Sequence, residues 1–441
     1  MLYRLLKFII GVGIRLYYKE IRVKNVEQLP QNGPLIIIAN HPNTLMDAWV
    51  IGMICKQPIY YMAKATLFNS KFKLKLLKSL NMVPINRQGE GRVDGVRNED
   101  SFGECYKILN EGKTLVIFPE GTSYKERVLR KLKSGAARIA LEAEHRQKGK
   151  LGLKVVAVGL NYSQSEKFRS NILIEIDQPQ AVTEFLEEYE TNSRNAAQKL
   201  TTQFRTRLEK VLVTNDTNEE ESLVEKIYAI LHSKYIPSAE KGVQGEVTKL
   251  KDIKKKLDEM NIVEPCLVAE IHIKIRSIQW KLDKLKIKAD FLDRRFRSRM
   301  FYRQLLTSSL FIVVALPLFV FGLIHNLFQY LFTDWIIPKL TKDIEYYAPF
   351  AIFIGLIIYP AFYLLLLYII GIKILALSTL GLIIYFILMP LTGLFAYWFA
   401  KYMKHISNKW HYMLLMMDRR NVLSALQEER DKLKIMVFGG S

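Results

Sequence analysis

Short apolar runs alternate with helix-spaced stretches from Pro34 to about Gln178. Residues 35–38, 82–85, 114–118, 155–160 and 172–176 read as strands, each bounded by turn or polar residues. Several are β-branched runs suited to a sheet covered on both faces. Residues 101–110 and 134–144 carry helical spacing between them, and 192–213 reads as a closing helix. Strands alternating with helices predict an α/β sandwich.

Beyond this block the pattern changes. Residues 214–222 (TNDTNEEES) form a polar, acidic break, and 223–303 is charge-rich and helical with an interruption near 261–265. Isoleucine and leucine recur there at helical spacing, as in EIHIKIRSIQWKLDKLKIKADFL, which predicts a helical hairpin or stalk. Then the chain changes solvent. Residues 304–333, 346–372 and 374–400 contain no Asp, Glu, Lys or Arg. At about 1.5 Å per residue each run exceeds the roughly 30 Å of a bilayer's hydrocarbon layer, so these are expected to be transmembrane helices. The first twenty residues, MLYRLLKFIIGVGIRLYYKE, have an apolar run interrupted by Arg15 and no small-residue cleavage site. An interfacial helix is expected, with Leu5, Ile9, Ile10 and Leu16 dipping into the bilayer and Arg4, Lys7 and Arg15 at the headgroups.

The 441 residues carry a net charge of +21, with half the positions hydrophobic and 24% charged. That mixture suits a polar domain fused to a membrane segment. The charge calls for an anionic partner, and the apolar runs favour lipid or phosphorylated substrates over nucleic acid, for which no motif is present. Cys55, Cys105 and Cys266 lie far apart with no CxxC and no Cys/His cluster, so neither a disulfide framework nor a metal site is expected.

Candidate chemistry begins at IIIANHPNTLMDAWV. A strand ending at Asn40 delivers His41 to the sheet edge, Pro42 and Asn43 turn, and a helix is expected near Thr44. Asp47 then points back toward the imidazole. A carboxylate on one ring nitrogen frees the other to take a proton from an alcohol. Alone, this pattern fits a structural histidine better; its neighbours reverse the reading. Residues 114–118 run into Pro119, Glu120, Gly121, Thr122 and Ser123. Glu120 is suited to a polyol, Gly121 to close backbone approach, and the two hydroxyls to further hydrogen bonds. Residues 82–85 lead to Arg87, suited to a phosphate. Lys131 and Lys133 precede the start of a helix, another anion-favouring position. Lys167 and Arg169 lie on a later loop and fit either a phosphate contact or a solvated basic loop.

Together and in order, NHPNTLMD, SLNMVPINR, FPEGTS and VVAVGLNY resemble the motifs of the glycerolipid (PlsC-like) acyltransferase family, across about residues 23–180. The resemblance implies an α/β sandwich and transfer of an acyl chain from a thioester to a glycerol-derived hydroxyl. By similarity His41 is the base and Asp47 its partner, with Arg87, Glu120, Gly121, Thr122 and Lys133 at the acceptor site. It implies acyl-CoA or acyl-carrier protein as donor, and glycerol 3-phosphate or 1-acylglycerol 3-phosphate (lysophosphatidic acid) as acceptor, with no cofactor. Five residues separate His41 from Asp47 where most members have four. Asn81 and Gly159 stand where a glycine and a proline are usual. The longer spacing and VGLNYSQSEKFRSNILIEI resemble a subgroup of glycerol-3-phosphate and dihydroxyacetone-phosphate acyltransferases, which tips the expected acceptor to glycerol 3-phosphate.

The expected order is an interfacial helix (1–21), the acyltransferase domain (22–213), a charged helical linker (214–303), the transmembrane region (304–400), and a cytoplasmic helix and tail (401–441). Residues 281–303 carry nine Lys or Arg against three Asp, and Lys401, Lys404, Lys409, Arg419 and Arg420 follow the last run. Both flanks, and the catalytic domain, are therefore expected on the cytoplasmic face. Two cytoplasmic flanks need an even number of crossings, so one of the three runs is expected not to cross. Pro317 and Gly322 in the first, or Gly381, Pro390 and Gly393 in the third, offer a place to bend back.

Overall fold

The computed structural model describes residues 2–86, 98–232, 242–293 and 298–439. They fall into two compact units: Met1–Glu221 with Lys241–Val247 and Asp343–Ile352, and Ser222–Glu240 with Thr248–Lys342 and Phe353–Ser441.

In the first unit the order is α1 (Leu2–Tyr17), β1 (Glu20–Lys24), β2 (Leu35–Ala39), α2 (Leu45–Ile54), β3 (Ile59–Lys64), α3 (Lys71–Ser79), β4 (Met82–Ile85), α4 (Asn98–Asn110) and β5 (Thr114–Ile117). There follow α5 (Gly135–Arg146), β6 (Lys154–Tyr162), β7 (Asn171–Ile176), β8 (Gln180–Ala181), α6 (Leu186–Thr191) and α7 (Ser193–Val211). One mixed sheet runs β1-β7-β6-β2-β5-β3-β4, with β8 beside β6. Pairing is parallel except that β6 is antiparallel to β7 and β8.

The predicted α/β sandwich is present, and its two layers follow from side-chain alternation along the strands. Ile36, Ile38, Leu115, Ile117, Val155 and Ala157 share one core with buried residues of α4, α5 and α7. The intervening Leu35, Ile37, Ala39, Val116, Val156 and Val158 are also buried and face the other way, toward α1 and α2. The connections β2–α2–β3 and β3–α3–β4 step one way across the sheet, whereas β4–α4–β5 and β5–α5–β6 step back. Right-handed crossovers therefore put α2 and α3 on one face, and α4 and α5 on the other.

In α1 the outward apolar stripe is Leu5, Phe8, Val12 and Leu16. Ile9 and Ile10 are half-buried, a correction of the expected face. Lys7 is not free for a headgroup either, because its Nζ donates to the Cys55 carbonyl at 2.7 Å.

The linker and membrane region form α8 (Asn218–Leu231), α9 (Gly242–Val263), α10 (Pro265–Leu285), α11 (Ser298–Leu340), α12 (Tyr347–Leu366), α13 (Thr379–Asp418) and α14 (Arg420–Phe438). Pro265 opens α10 at the first turn, where a proline costs least. Among the described residues three helices are long and apolar enough to cross a membrane: Tyr302–Leu340, Ile344–Ile374 and Thr379–Asp418. Neither α11 nor α13 bends back. Pro317 and Pro390 sit inside continuous helices. The glycines serve packing instead: a Cβ on Gly322 would lie 2.2 Å from the Thr392 carbonyl oxygen, and one on Gly393 2.4 Å from the Asn326 side chain.

Candidate active site

β2 delivers Asn40 and His41 to the carboxyl edge of the sheet. The Asn40 side chain extends the ladder sideways, taking the Leu160 N–H at 2.8 Å and donating to the Leu160 carbonyl at 3.1 Å. That pins the end of β2 to β6. Thr44 then turns the chain at φ 43°, ψ −119°, a region that β-branched residues rarely enter. The helix starts at Leu45, one residue later than expected. The irregularity falls between His41 and Asp47, where the five-residue spacing has to be absorbed.

The spacing closes correctly. His41 Nδ1 lies 2.9 Å from Asp47 Oδ2. The carboxylate can only accept, so Nδ1 carries the proton and Nε2 is left as the base. The imidazole stacks on Phe118, with centroids 3.9 Å apart and planes 10° from parallel. Its remaining freedom is small.

Asp47 is fully buried and accepts two further hydrogen bonds: Asn43 N–H at 2.7 Å on Oδ2 and Tyr162 O–H at 2.8 Å on Oδ1. Burial pushes its carboxyl above the ordinary carboxylate range, against the pull of His41, Asn43 and Tyr162. Burial and the Asp47 charge push the Tyr162 hydroxyl far up, so it stays a donor. The next shell is Tyr18, whose hydroxyl accepts from Asn43 Nδ2 at 3.1 Å and donates to the Ser165 carbonyl at 3.3 Å. Asn43, Tyr162, Tyr18 and Phe118 carried no expected role in the dyad. Tyr162 closes VVAVGLNY, and its place at the end of a strand beside β2 was the available signal.

Glu120 is buried and spends its carboxylate on the backbone, with Oε1 taking the His41 N–H at 3.1 Å and Oε2 the Arg130 N–H at 3.3 Å. Burial raises its pKa against those two bonds. It thus ties the FPEGTS turn to the histidine's own peptide, with lone pairs to spare for a substrate hydroxyl. Gly121 has φ +78°, and a Cβ there would fall 2.7 Å from Lys133 Nζ. Lys133 thus lies across the glycine, bringing these two expected site residues together, while Thr122 is half-buried nearby. Arg87 lies outside the described residues. Arg169 turns away, its guanidinium 3.4 Å from the Leu16 carbonyl. Lys167 is exposed.

The Acyltransferase family model matches residues 20–161, which contain every expected site residue. A 1-acyl-sn-glycerol-3-phosphate acyltransferase of Bacillus subtilis is 34% identical over 121 residues, 27% of this chain and 56% of that protein. An uncharacterized acyltransferase of Schizosaccharomyces pombe is 21% identical over 275 residues, 43% of this chain and 41% of its own length. A probable 1-acyl-sn-glycerol-3-phosphate acyltransferase of Mycoplasma pneumoniae is 28% identical over 138 residues, 30% of this chain and 49% of its own. The chain thus spans about half the length of the curated relatives it matches. Among solved structures, PlsC of Thermotoga maritima aligns with a TM-score of 0.33 and 20% identity, over 47% of this chain and 79% of that one. The histidine–aspartate pair and the FPEGTS turn thus lie within residues 20–161, the segment that matches the Acyltransferase family model.

Proposed function

We propose that this chain is a membrane-bound O-acyltransferase that moves an acyl chain from a thioester to the free hydroxyl of 1-acylglycerol 3-phosphate. The observation that carries the chemistry is the His41–Asp47 pair at 2.9 Å with Nε2 left free. His41 Nε2 takes the proton of the acceptor hydroxyl as its oxygen attacks the thioester carbonyl. Asp47 stabilises the resulting imidazolium. Collapse of the tetrahedral adduct breaks the C–S bond, and the imidazolium returns the proton to the departing thiolate. Neither a serine nor a cysteine nucleophile is required.

The acceptor reading departs from the sequence expectation of glycerol 3-phosphate. Curated relatives named as 1-acylglycerol-3-phosphate acyltransferases support the acylated acceptor. The five-residue spacing between His41 and Asp47 supports glycerol 3-phosphate as the second reading. Lys133 and Arg87 are the proposed phosphate ligands, acyl-CoA or acyl-carrier protein the proposed donor, and the cytoplasmic face the proposed side.

The test is purified full-length protein in detergent, assayed for acyl transfer to 1-acylglycerol 3-phosphate, glycerol 3-phosphate and dihydroxyacetone phosphate. Turnover is expected with the first and reduced roughly 10²- to 10⁴-fold by His41→Ala. Preference for glycerol 3-phosphate would establish the second reading, and near-wild-type turnover by His41→Ala would remove the mechanism.

A further inference from the structure

Among the described residues 2–221, large apolar side chains reach solvent in a restricted place. Leu5, Phe8, Val12 and Leu16 of α1, and Leu67, Phe72, Leu74 and Leu76 in and just before α3, are exposed; beyond these only Val26 and Tyr124 are. The face built by α4, α5 and α7 contributes none of them. α3 lies on the α2 side of the sheet by the handedness of its crossover. An uncovered apolar group on one layer of an otherwise well-covered domain marks a surface made to be covered.

α3 has a second property. Its sequence, KFKLKLLKS, contains no residue buried in the fold. Lys71, Lys75 and Lys78 stand at i, i+4 and i+7 and share a stripe; Phe72 and Leu76, at i and i+4, form the stripe beside it. Phe72 is 76% exposed. None of Lys71, Lys73, Lys75 and Lys78 has a side-chain hydrogen bond or ion pair among the described residues. Four lysines on so short a helix repel one another, and none has a side-chain partner among the described residues.

We infer that α3 docks on an anionic bilayer surface, Phe72 and Leu76 entering the acyl boundary and Lys71, Lys75 and Lys78 taking lipid phosphates. The stem of a lysine lies along apolar surface while its ammonium stays at the headgroups, which is what adjacent apolar and basic stripes require. Basic amphipathic helices bind where apolar burial and attraction to anionic lipid add. The occupant is a bilayer rather than an acidic protein because the same chain carries three helices long and apolar enough to cross one. A tethered domain needs only a weak surface to stay docked. This contact is independent of the acyl-transfer reading and is read without an activity assay.

The experiment places an environment-sensitive NBD fluorophore at Phe72→Cys in full-length protein carrying Cys266→Ser. Cys266 is the exposed cysteine, whereas Cys55 and Cys105 are buried with thiols pushed up to about 12. The protein is reconstituted in phosphatidylcholine vesicles with or without about a third phosphatidylglycerol. Expected with the anionic lipid are a blue-shifted emission, quenching by nitroxide-labelled lipid, and iodide quenching about threefold lower than in phosphatidylcholine alone. The triple variant Lys71→Gln, Lys75→Gln, Lys78→Gln is expected to abolish that difference. Equal iodide access in both lipids overturns the inference, as does insertion unchanged in the triple variant. Protection from iodide without nitroxide quenching also overturns it, because a protein surface or a second copy would then be the cover.

Discussion

At the residue scale, the proposed catalysis rests on a fully buried aspartate whose carboxylate is supported beside a histidine. Three hydrogen bonds oppose the desolvation that raises the Asp47 pKa. Tyr162→Phe removes one donor to the charged form, so the Asp47 pKa rises further. The dyad needs the carboxylate, so the acid limb of kcat/KM is expected to move to higher pH while the plateau is largely retained. A pH–rate profile superimposable on the wild type would show that Tyr162 does not act through Asp47. Asp47→Asn loses the carboxylate outright and is expected to cost about a hundredfold or more in kcat. Glu120→Gln presents an N–H₂ to one of two backbone N–H groups, at a cost of about 1–3 kcal/mol. It is expected to lower both the melting temperature and kcat by shifting the His41 peptide; a rise in acceptor KM alone would instead mark Glu120 as a substrate ligand. His41 and Asp47 were legible because they are six residues apart in one segment. Tyr162 lies 115 positions from Asp47, and only the β2–β6 pairing brings it there, so local pattern could not assign it. Glu120 was visible as a residue, but its use on backbone N–H groups depends on where two distant turns meet.

At the scale of elements, what the pattern reveals depends on how uniform the burial is. β2, β5, β6 and β7 are buried along most of their length and stand out as apolar runs. β1 (EIRVK) has no buried residue, and β3 (IYYMAK) has a single one, so neither differs enough from a loop or an amphipathic helix to be read. α3 escaped for another reason: KFKLKL alternates basic and apolar residues as a strand would, although the segment is helical and nearly every position is exposed. Gly159, where the family usually has proline, is explained by packing. A Cβ there would lie 2.3 Å from the Val211 carbonyl oxygen at the end of α7. Gly159→Ala is therefore expected to push α7 off β6 and destabilise the domain by about 1–3 kcal/mol. A thermal melt in detergent checks this, and an unchanged transition would mean that α7 yields freely at its end.

At the scale of the whole molecule the open quantity is the parity of membrane crossings. Three apolar runs imply opposite faces for their outer flanks, while the charge of both flanks implies the same face. Contacts between α11 and α13 favour the charge. Ser308 pairs with Tyr402, Asn326 with the Met389 carbonyl, and His325 with Tyr385. Residue numbers rise along one helix as they fall along the other, so the two are antiparallel. Their basic flanks meet at one end, where His411 Nε2 lies 2.8 Å from the Leu285 carbonyl oxygen and the rings of Phe291 and Tyr412 lie 5.4 Å apart. An antiparallel pair contributes an even number of crossings. The run that joins them is then expected to make no net crossing, in place of the first or third run that the sequence reading pointed to. The second run also ends in a π-helical segment, Leu367–Ile374. Single cysteines at Asn218 and Lys432, both exposed, in a Cys266→Ser background are expected to react with a membrane-impermeant maleimide from the same side of sealed vesicles. Reaction from opposite sides would establish an odd number of crossings and separate the two basic flanks that the α11–α13 pair holds together.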